Sequence, residues 1–410
     1  MGPCLGSAAV YVGDLRDPQS GSACRARAED FELRSLEDMQ PPPGLSVPIV
    51  TVLDDDGQLI ESDQRAVVRH VVQEGYGADV VFAAGTTGEW DRLTNRIRQQ
   101  VIRISVDEVD RQNRLHGSRL SRPVECWAGV TAHTAEETLE NLEVAVECGA
   151  DAVVLAPLSI AGLDDPVRFV AREVSDLLDA LSHRIPLYLY DNADIAADPR
   201  ALHIRTRQVK ALSRLDFVRG IKVSASRKIL GNYTKAAEGF RERGEFAIYV
   251  GNAKLIFDLF RHRTGFWGTL TEHWNRYWLW GSLPHGVVSG PANALPREWA
   301  RAWQVCRAGD AERMDEVRDV VEAFAAATAT LEGRRTIACL KHALYHLGVV
   351  SSPAVAKGTP ELDADAASRF GDAFAGVREL SRTRIGSPWV SLASSTPSAP
   401  GADGRGVGVE

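Results

Sequence analysis

Lysine is scarce in this chain. Of the 47 basic residues among its 410, seven are lysines, at positions 210, 222, 228, 235, 254, 341 and 357, and arginine supplies the rest. There is no long basic run, and 55 acidic residues leave a formal charge of −8, which argues against a protein that coats nucleic acid or an anionic membrane. Long apolar runs are missing too. The most apolar stretch, 152–163, is about a dozen residues, short of the roughly 18–20 needed to span a bilayer. The six cysteines (Cys4, Cys24, Cys126, Cys148, Cys306, Cys339) form no C-x-x-C pair, which speaks against a disulfide framework or a zinc knuckle. Reduced thiols in a cytoplasmic protein are the expectation. Asp14, Asp17, Glu29 and Asp30 interrupt any secretory signal, and Gly6 stands where myristoylation needs Ser or Thr.

What is present is an ordinary globular composition, 44% hydrophobic and 25% charged, with a regular alternation along the middle of the chain. Residues 1–44, ending in Pro41-Pro42-Pro43-Gly44, read as a disordered arm, and 382–410 as a disordered tail. Between them, short apolar runs at 47–53, 79–84, 124–130, 152–156, 186–190, 218–223, 246–250 and 285–289 are each followed by a longer amphipathic stretch. Apolar residues on consecutive positions suit strands covered on both faces. Thr134 with Glu137 opens one of the helices as a capping-box pattern. Eight such units predict an α/β fold, a (β/α)₈ TIM barrel over 45–308 with a C-terminal helical region over 309–381. An open doubly wound sheet is the alternative, but no G-x-G-x-x-G or P-loop is present.

In a barrel of this kind, the C-terminal strand ends carry the chemistry. Lys222 lies inside the apolar sixth run, where desolvation disfavours an ammonium and favours a nucleophilic amine able to capture a ketone. A lysine at the strand edge, snorkelling to solvent, is the alternative. Tyr190 ends the fifth run and is a candidate proton carrier, or a core tyrosine. Gly85, Thr86, Thr87, Gly88 and Glu89 follow the second run and offer hydroxyls and backbone donors for a small carboxylate; a Gly-rich strand-to-helix turn is the plain reading.

Taken together, Gly85-Thr86-Thr87-Gly88-Glu89, Leu189-Tyr190 and Gly220-Ile221-Lys222 resemble the dihydrodipicolinate synthase / N-acetylneuraminate lyase family of class I pyruvate-type aldolases. The resemblance covers about 46–350 and takes in Asp55-Asp56-Gly57, His285 to Ser289, Lys341 and Gly348. It implies that Lys222 forms a Schiff base with pyruvate or a related 2-oxo acid. It further implies that Tyr190 and Thr87 serve the catalytic proton transfers and carboxylate binding, and that Thr86, Thr87, Gly85 and Ser289 contact substrate. No metal or other cofactor is needed for that chemistry. The partner expected is the small-molecule substrate, with no nucleic acid and no membrane, and a homo-oligomer (dimer or tetramer) is common in the family.

Departures from the family pattern bear on the substrate. Members that make dihydrodipicolinate usually carry an arginine five residues after the strand-five tyrosine and a second tyrosine after strand four. Here Ile195 holds the first position, and Ala156-Pro157-Leu158-Ser159 has no tyrosine; Val223 follows the lysine where a polar residue is frequent. An aldolase or dehydratase on another 2-oxo acid is favoured, with a non-catalytic member or 4-hydroxy-tetrahydrodipicolinate synthase itself as alternatives. An aromatic insertion, 266–280, holds four of the nine tryptophans and reads as a packing or subunit patch, or else a lid. His342 and His346 have metal-ligand spacing but read as structural, Asp54-Asp55-Asp56-Gly57 reads as a turn, and Glu173 and Asp176 read as solvated.

Overall fold

Strands covered on both faces carry apolar residues on each side, and most of the eight strands here do so. They are β1 (Gly44–Pro48), β2 (Val80–Ala83), β3 (Glu125–Gly129), β4 (Ala152–Leu155), β5 (Leu187–Asn192), β6 (Val218–Ser224), β7 (Ala247–Val250) and β8 (Gly286–Val288). The computed structural model describes residues 40–236, 239–240, 245–260, 284–329 and 335–386. All strand pairs are parallel and the sheet closes, β8 against β1, into the predicted (β/α)₈ barrel. Leu45, Val47, Val81, Leu155, Leu189, Ile221 and Val250 belong to the outer core between strands and helices. Phe82, Trp127, Val154, Tyr188, Tyr190, Tyr249 and Val288 form a second cluster inside the barrel.

The barrel is surrounded by α1 (Glu61–Val72), α2 (Asn95–His116), α3 (Ala135–Glu147), α4 (Ser175–Ala180), α5 (Thr206–Leu212), α6 (Arg227–Ala236) and α7 (Leu255–Leu259). Pro166–Phe169 leads into α4 through a π turn at Val170–Val174. Thr134 caps α3 by accepting from the Glu137 amide at 3.2 Å, while the Glu137 carboxylate is paired with buried Arg98 of α2 at 2.9 Å. After β8 come α8 (Pro296–Ala308), α9 (Ala311–Ala329), α10 (Thr336–His346) and α11 (Ala364–Ile385), with Phe324 of α9 set edge-on against Phe374 of α11.

Large residues inside the barrel are matched by glycines on the next strand. Tyr188 faces Gly220 and Tyr249 faces Gly286, and a Cβ on either glycine would meet the tyrosine ring at 2.9 Å and 2.6 Å. Trp127 stacks on Tyr188 with centroids 4.0 Å apart and meets Tyr249 edge-on at 5.1 Å, so these rings fill the N-terminal half. The proline segment covers this end: the Tyr249 hydroxyl donates to the Pro42 carbonyl at 2.6 Å, and His285 contacts that of Pro41 at 2.7 Å.

Most strand limits lie within one or two residues of the sequence reading, and two boundaries differ by more. The first strand is Gly44–Pro48 and not 47–53, because beyond Ile49, whose amide still donates to the Phe82 carbonyl at 3.0 Å, the buried residues Val50 to Val52 leave the ladder and run toward the 54–57 turn. α11 extends to Ile385, into the segment expected as a tail. The rest of that tail, most of the expected arm and the aromatic insertion 266–280 lie outside the described residues. Among the described residues no helix is long and apolar enough to cross a membrane, and Cys126, Cys148, Cys306 and Cys339 are buried.

Candidate active site

A bulge decides where Lys222 points. Between β5 and β6 the pairing shifts by one residue, from Leu187–Val218 to Tyr188–Gly220, with Arg219 as the extra residue. Side chains alternate along a strand, so the shift leaves Val218 and Ile221 on the outer face and turns Gly220, Lys222 and Ser224 inward. Lys222 then stands opposite Tyr190 in register. Its Nζ lies 3.7 Å from the centroid of the Tyr190 ring and 4.9 Å from that of Phe82. The side chain is 5% exposed, so the strand-edge alternative does not describe it. Burial pushes the amine below its ordinary 10.5, and the neighbouring phenol opposes the shift only in part.

The Tyr190 oxygen is the meeting point of three strand ends. It accepts from Asn192 Nδ2 at 3.0 Å, from Thr86 Oγ1 at 3.4 Å and from Ser224 Oγ at 3.4 Å. Burial acts to raise this phenol; the charge of Lys222 and the hydroxyls of Ser224 and Thr86 outweigh it and hold Tyr190 below its ordinary 10. Room for Ser224 comes from Gly251, where a Cβ would lie 2.1 Å from the Ser224 Oγ. Asn192 and Ser224 were not assigned a role from sequence, since a neutral polar residue at a strand end carries no motif. The alternation did hold a signal: each lies two residues beyond Tyr190 or Lys222, on the same face.

The second-strand motif is a tight turn, with Gly88 N bonded to Gly85 O at 2.9 Å and Glu89 N to Thr86 O at 3.1 Å. Gly85 is required by contact, because a Cβ there would meet the Phe82 ring at 2.9 Å. Thr86 reaches Tyr190, and Thr87 lies against Gly290 at the end of β8, its Oγ1 3.2 Å from where a Cβ would stand. Ser289 is not brought into this cluster by any such contact. Val288 before it faces the barrel interior, Ser289 has the opposite parity, and its buried hydroxyl has no hydrogen-bond partner among the described residues. Glu89, fully buried, is paired with Lys341 of α10 at 2.5 Å. Lys222 and Lys341 are buried, whereas lysines 210, 228, 235, 254 and 357 are all exposed.

The remaining candidates fall elsewhere. Asp54 accepts from the amides of Asp56 and Gln58 at 3.0 Å and 2.7 Å, and Gly57 has φ 75°, so the acidic run is a turn. A cleft of about 640 Å³ between this turn, α10 and residues 353–362 is lined by none of Lys222, Tyr190, Thr86 and Thr87. The rings of His342 and His346 are 6.4 Å apart, and among the described residues no three metal-ligating side chains converge. Glu173, in the π turn before α4, and Asp176, in the first turn of α4, are both exposed.

Comparison with known proteins bears on the family and the fold. An uncharacterized DapA-like lyase of Halobacterium salinarum is 29% identical over 183 residues, 44% of this chain and 53% of the relative. A protein of Pseudarthrobacter chlorophenolicus named a probable 5-dehydro-4-deoxyglucarate dehydratase is 35% identical over 137 residues, 32% of this chain and 40% of the relative. The chain thus spans about half the length, or less, of these curated relatives. Dihydrodipicolinate synthase from Bacteroides thetaiotaomicron shares the fold, with a TM-score of 0.63 at 21% identity over 82% of this chain and 99% of that one. A family model matches residues 41–374, and the chain belongs to the dihydrodipicolinate synthetase family.

Proposed function

We propose that the chain is a Schiff-base lyase in which Lys222 condenses with the ketone carbon of pyruvate or a related 2-oxo acid. The observation that carries this reading is a buried amine 3.7 Å from the ring of a tyrosine whose oxygen is shared with Thr86. An amine depressed by burial supplies the free lone pair that attacks the carbonyl. Tyr190, held below its ordinary value, moves protons: it helps the carbinolamine lose water and leave a protonated imine. The imine draws electrons from C3, so that a proton lost there gives an enamine. That enamine attacks an aldehyde, forming a C–C bond, or expels a hydroxyl as water; the aldol step run backwards cleaves the bond. Thr86 and Thr87 hold the substrate carboxylate with their hydroxyls and the turn's backbone donors.

Ile195 shapes the substrate choice. It packs against the inner cluster that contains Tyr190, and neither 156–165 nor 191–199 contains a lysine or arginine. A second carboxylate at that end would have no cationic partner on these two loops, which disfavours 4-hydroxy-tetrahydrodipicolinate synthesis and favours an acceptor uncharged there. The same missing residues support a second reading, a member that binds a 2-oxo acid without turnover. Borohydride reduction in the presence of pyruvate, followed by peptide mapping, tests the Schiff base: the adduct is expected on Lys222, and no adduct, or one on another lysine, overturns it. Pyruvate release from a panel of aldol and sugar-acid substrates separates turnover from binding alone. Efficient turnover with aspartate semialdehyde would reinstate the synthase. Assembly into a dimer or tetramer belongs to the same reading and is read by sedimentation.

A further inference from the structure

The turn that carries Thr86 and Thr87 is bracketed by two residues in a backbone region that side chains avoid, Ala84 at φ 52° and Glu89 at φ 60°. Non-glycine residues stay there only where their surroundings over-determine them. For Glu89 those surroundings come from the far end of the chain. Its Oε1 accepts from the Ala356 amide at 2.8 Å and from the Thr359 hydroxyl at 2.6 Å, and its Oε2 faces Lys341 Nζ at 2.5 Å. Lys341 in turn donates to the Ala354 carbonyl at 2.8 Å. Both charged side chains are buried, at 0% and 1% exposure. A buried ion pair is a weak source of stability, since an apolar pair of similar volume commonly serves as well. Stability therefore does not account for this pair, whereas its place beside the two threonines gives it a use.

We propose that Glu89 is a positioning residue: its carboxylate, neutralised by Lys341, ties the turn to residues 353–359 so that Thr86 and Thr87 face the substrate carboxylate. The helical region after the barrel thereby becomes part of the binding site, although it contributes no atom to the reaction. This rests on the Schiff-base reading for its substrate, but the order of the turn is measurable without one.

Two charge-free double variants of the full chain test it, so that neither leaves a lone buried charge. Glu89→Leu with Lys341→Met removes every acceptor; Glu89→Gln with Lys341→Met keeps an oxygen for Ala356 and Thr359. In the Leu/Met protein the amides of 85–89 are expected to exchange with solvent at least about tenfold faster than in the parent. The pyruvate concentration for half-maximal borohydride trapping should rise about tenfold, with the maximal trapping rate within about threefold. The Gln/Met protein should restore both to within about threefold of the parent. Unchanged exchange in the Leu/Met protein overturns the proposal, as does faster exchange with unaltered half-saturation, or a Gln/Met protein no better than Leu/Met. If Leu/Met does not melt cooperatively, Thr359→Val decides instead: faster exchange at 85–89 supports the proposal and parental exchange overturns it. A parent that is not trapped by pyruvate defeats the Schiff-base reading, while the exchange comparison still decides whether Glu89 orders the turn.

Discussion

Tyr188 and Tyr190 are two residues apart on one strand, both turned into the barrel and both buried. Yet their phenols move in opposite directions. Tyr188 is pushed well above 10 by burial and by the nearby Glu125 charge, while Tyr190 is held below 10 because Lys222 and the hydroxyls around it outweigh the same burial. The floor of the barrel, with Trp127, Tyr188 and Tyr249, is a packed plug; the mouth, with Lys222, Tyr190, Asn192, Ser224 and Thr86, is a polar cluster. Burial alone makes a tyrosine inert, and a charged partner is what fits Tyr190 for the proton transfer proposed for it.

If that contrast is correct, changes at the mouth alter rates and leave the fold, while changes at the floor do the reverse. Lys222→Ala should lower turnover at least about 10³-fold and abolish pyruvate trapping. Its melting temperature should stay within about 5 °C; a variant with near-parental turnover would break the comparison. Tyr190→Phe should reduce kcat about 10²–10³-fold, read in steady-state assays on whichever substrate the panel identifies. Trp127→Ala should cost about 3–5 kcal/mol in denaturant titration, with kcat of the folded fraction nearly unchanged. The pH profile of trapping sharpens the electrostatic half. Tyr190 raises the Lys222 amine, so its removal in Tyr190→Phe lowers that amine further, and half-maximal trapping should move to lower pH; an upward move would refute the coupling. Smallest of all, Tyr188→Phe should leave turnover within about threefold, since this phenol stays protonated and transfers no proton.

The eight-fold alternation and the C-terminal strand ends were legible in the sequence because parallel strands covered on both faces leave a dense apolar run. The apolar pattern places the first strand three residues late, since Pro41-Pro42-Pro43-Gly44 has the composition of a linker. Nothing in that composition shows Pro42 receiving the Tyr249 hydroxyl. The candidates Lys222, Tyr190 and Thr86 meet in space, whereas Ser289 has the wrong parity to join them. Hydropathy does not mark the Arg219 bulge, and without it Lys222 would face the helices. The partner of Glu89 lies 252 positions along the chain (341 less 89), beyond the reach of any local pattern.

The division of lysines between surface and interior has a practical consequence for protein chemistry. Gentle acylation of the native chain should cap the five outward amines and spare the two enclosed ones, and of those two Lys341 is already engaged by a carboxylate. On the proposed Schiff-base chemistry, a small ketone added afterwards together with borohydride would find a single address, making this barrel a scaffold on which one chosen nitrogen can be tagged without engineering any other.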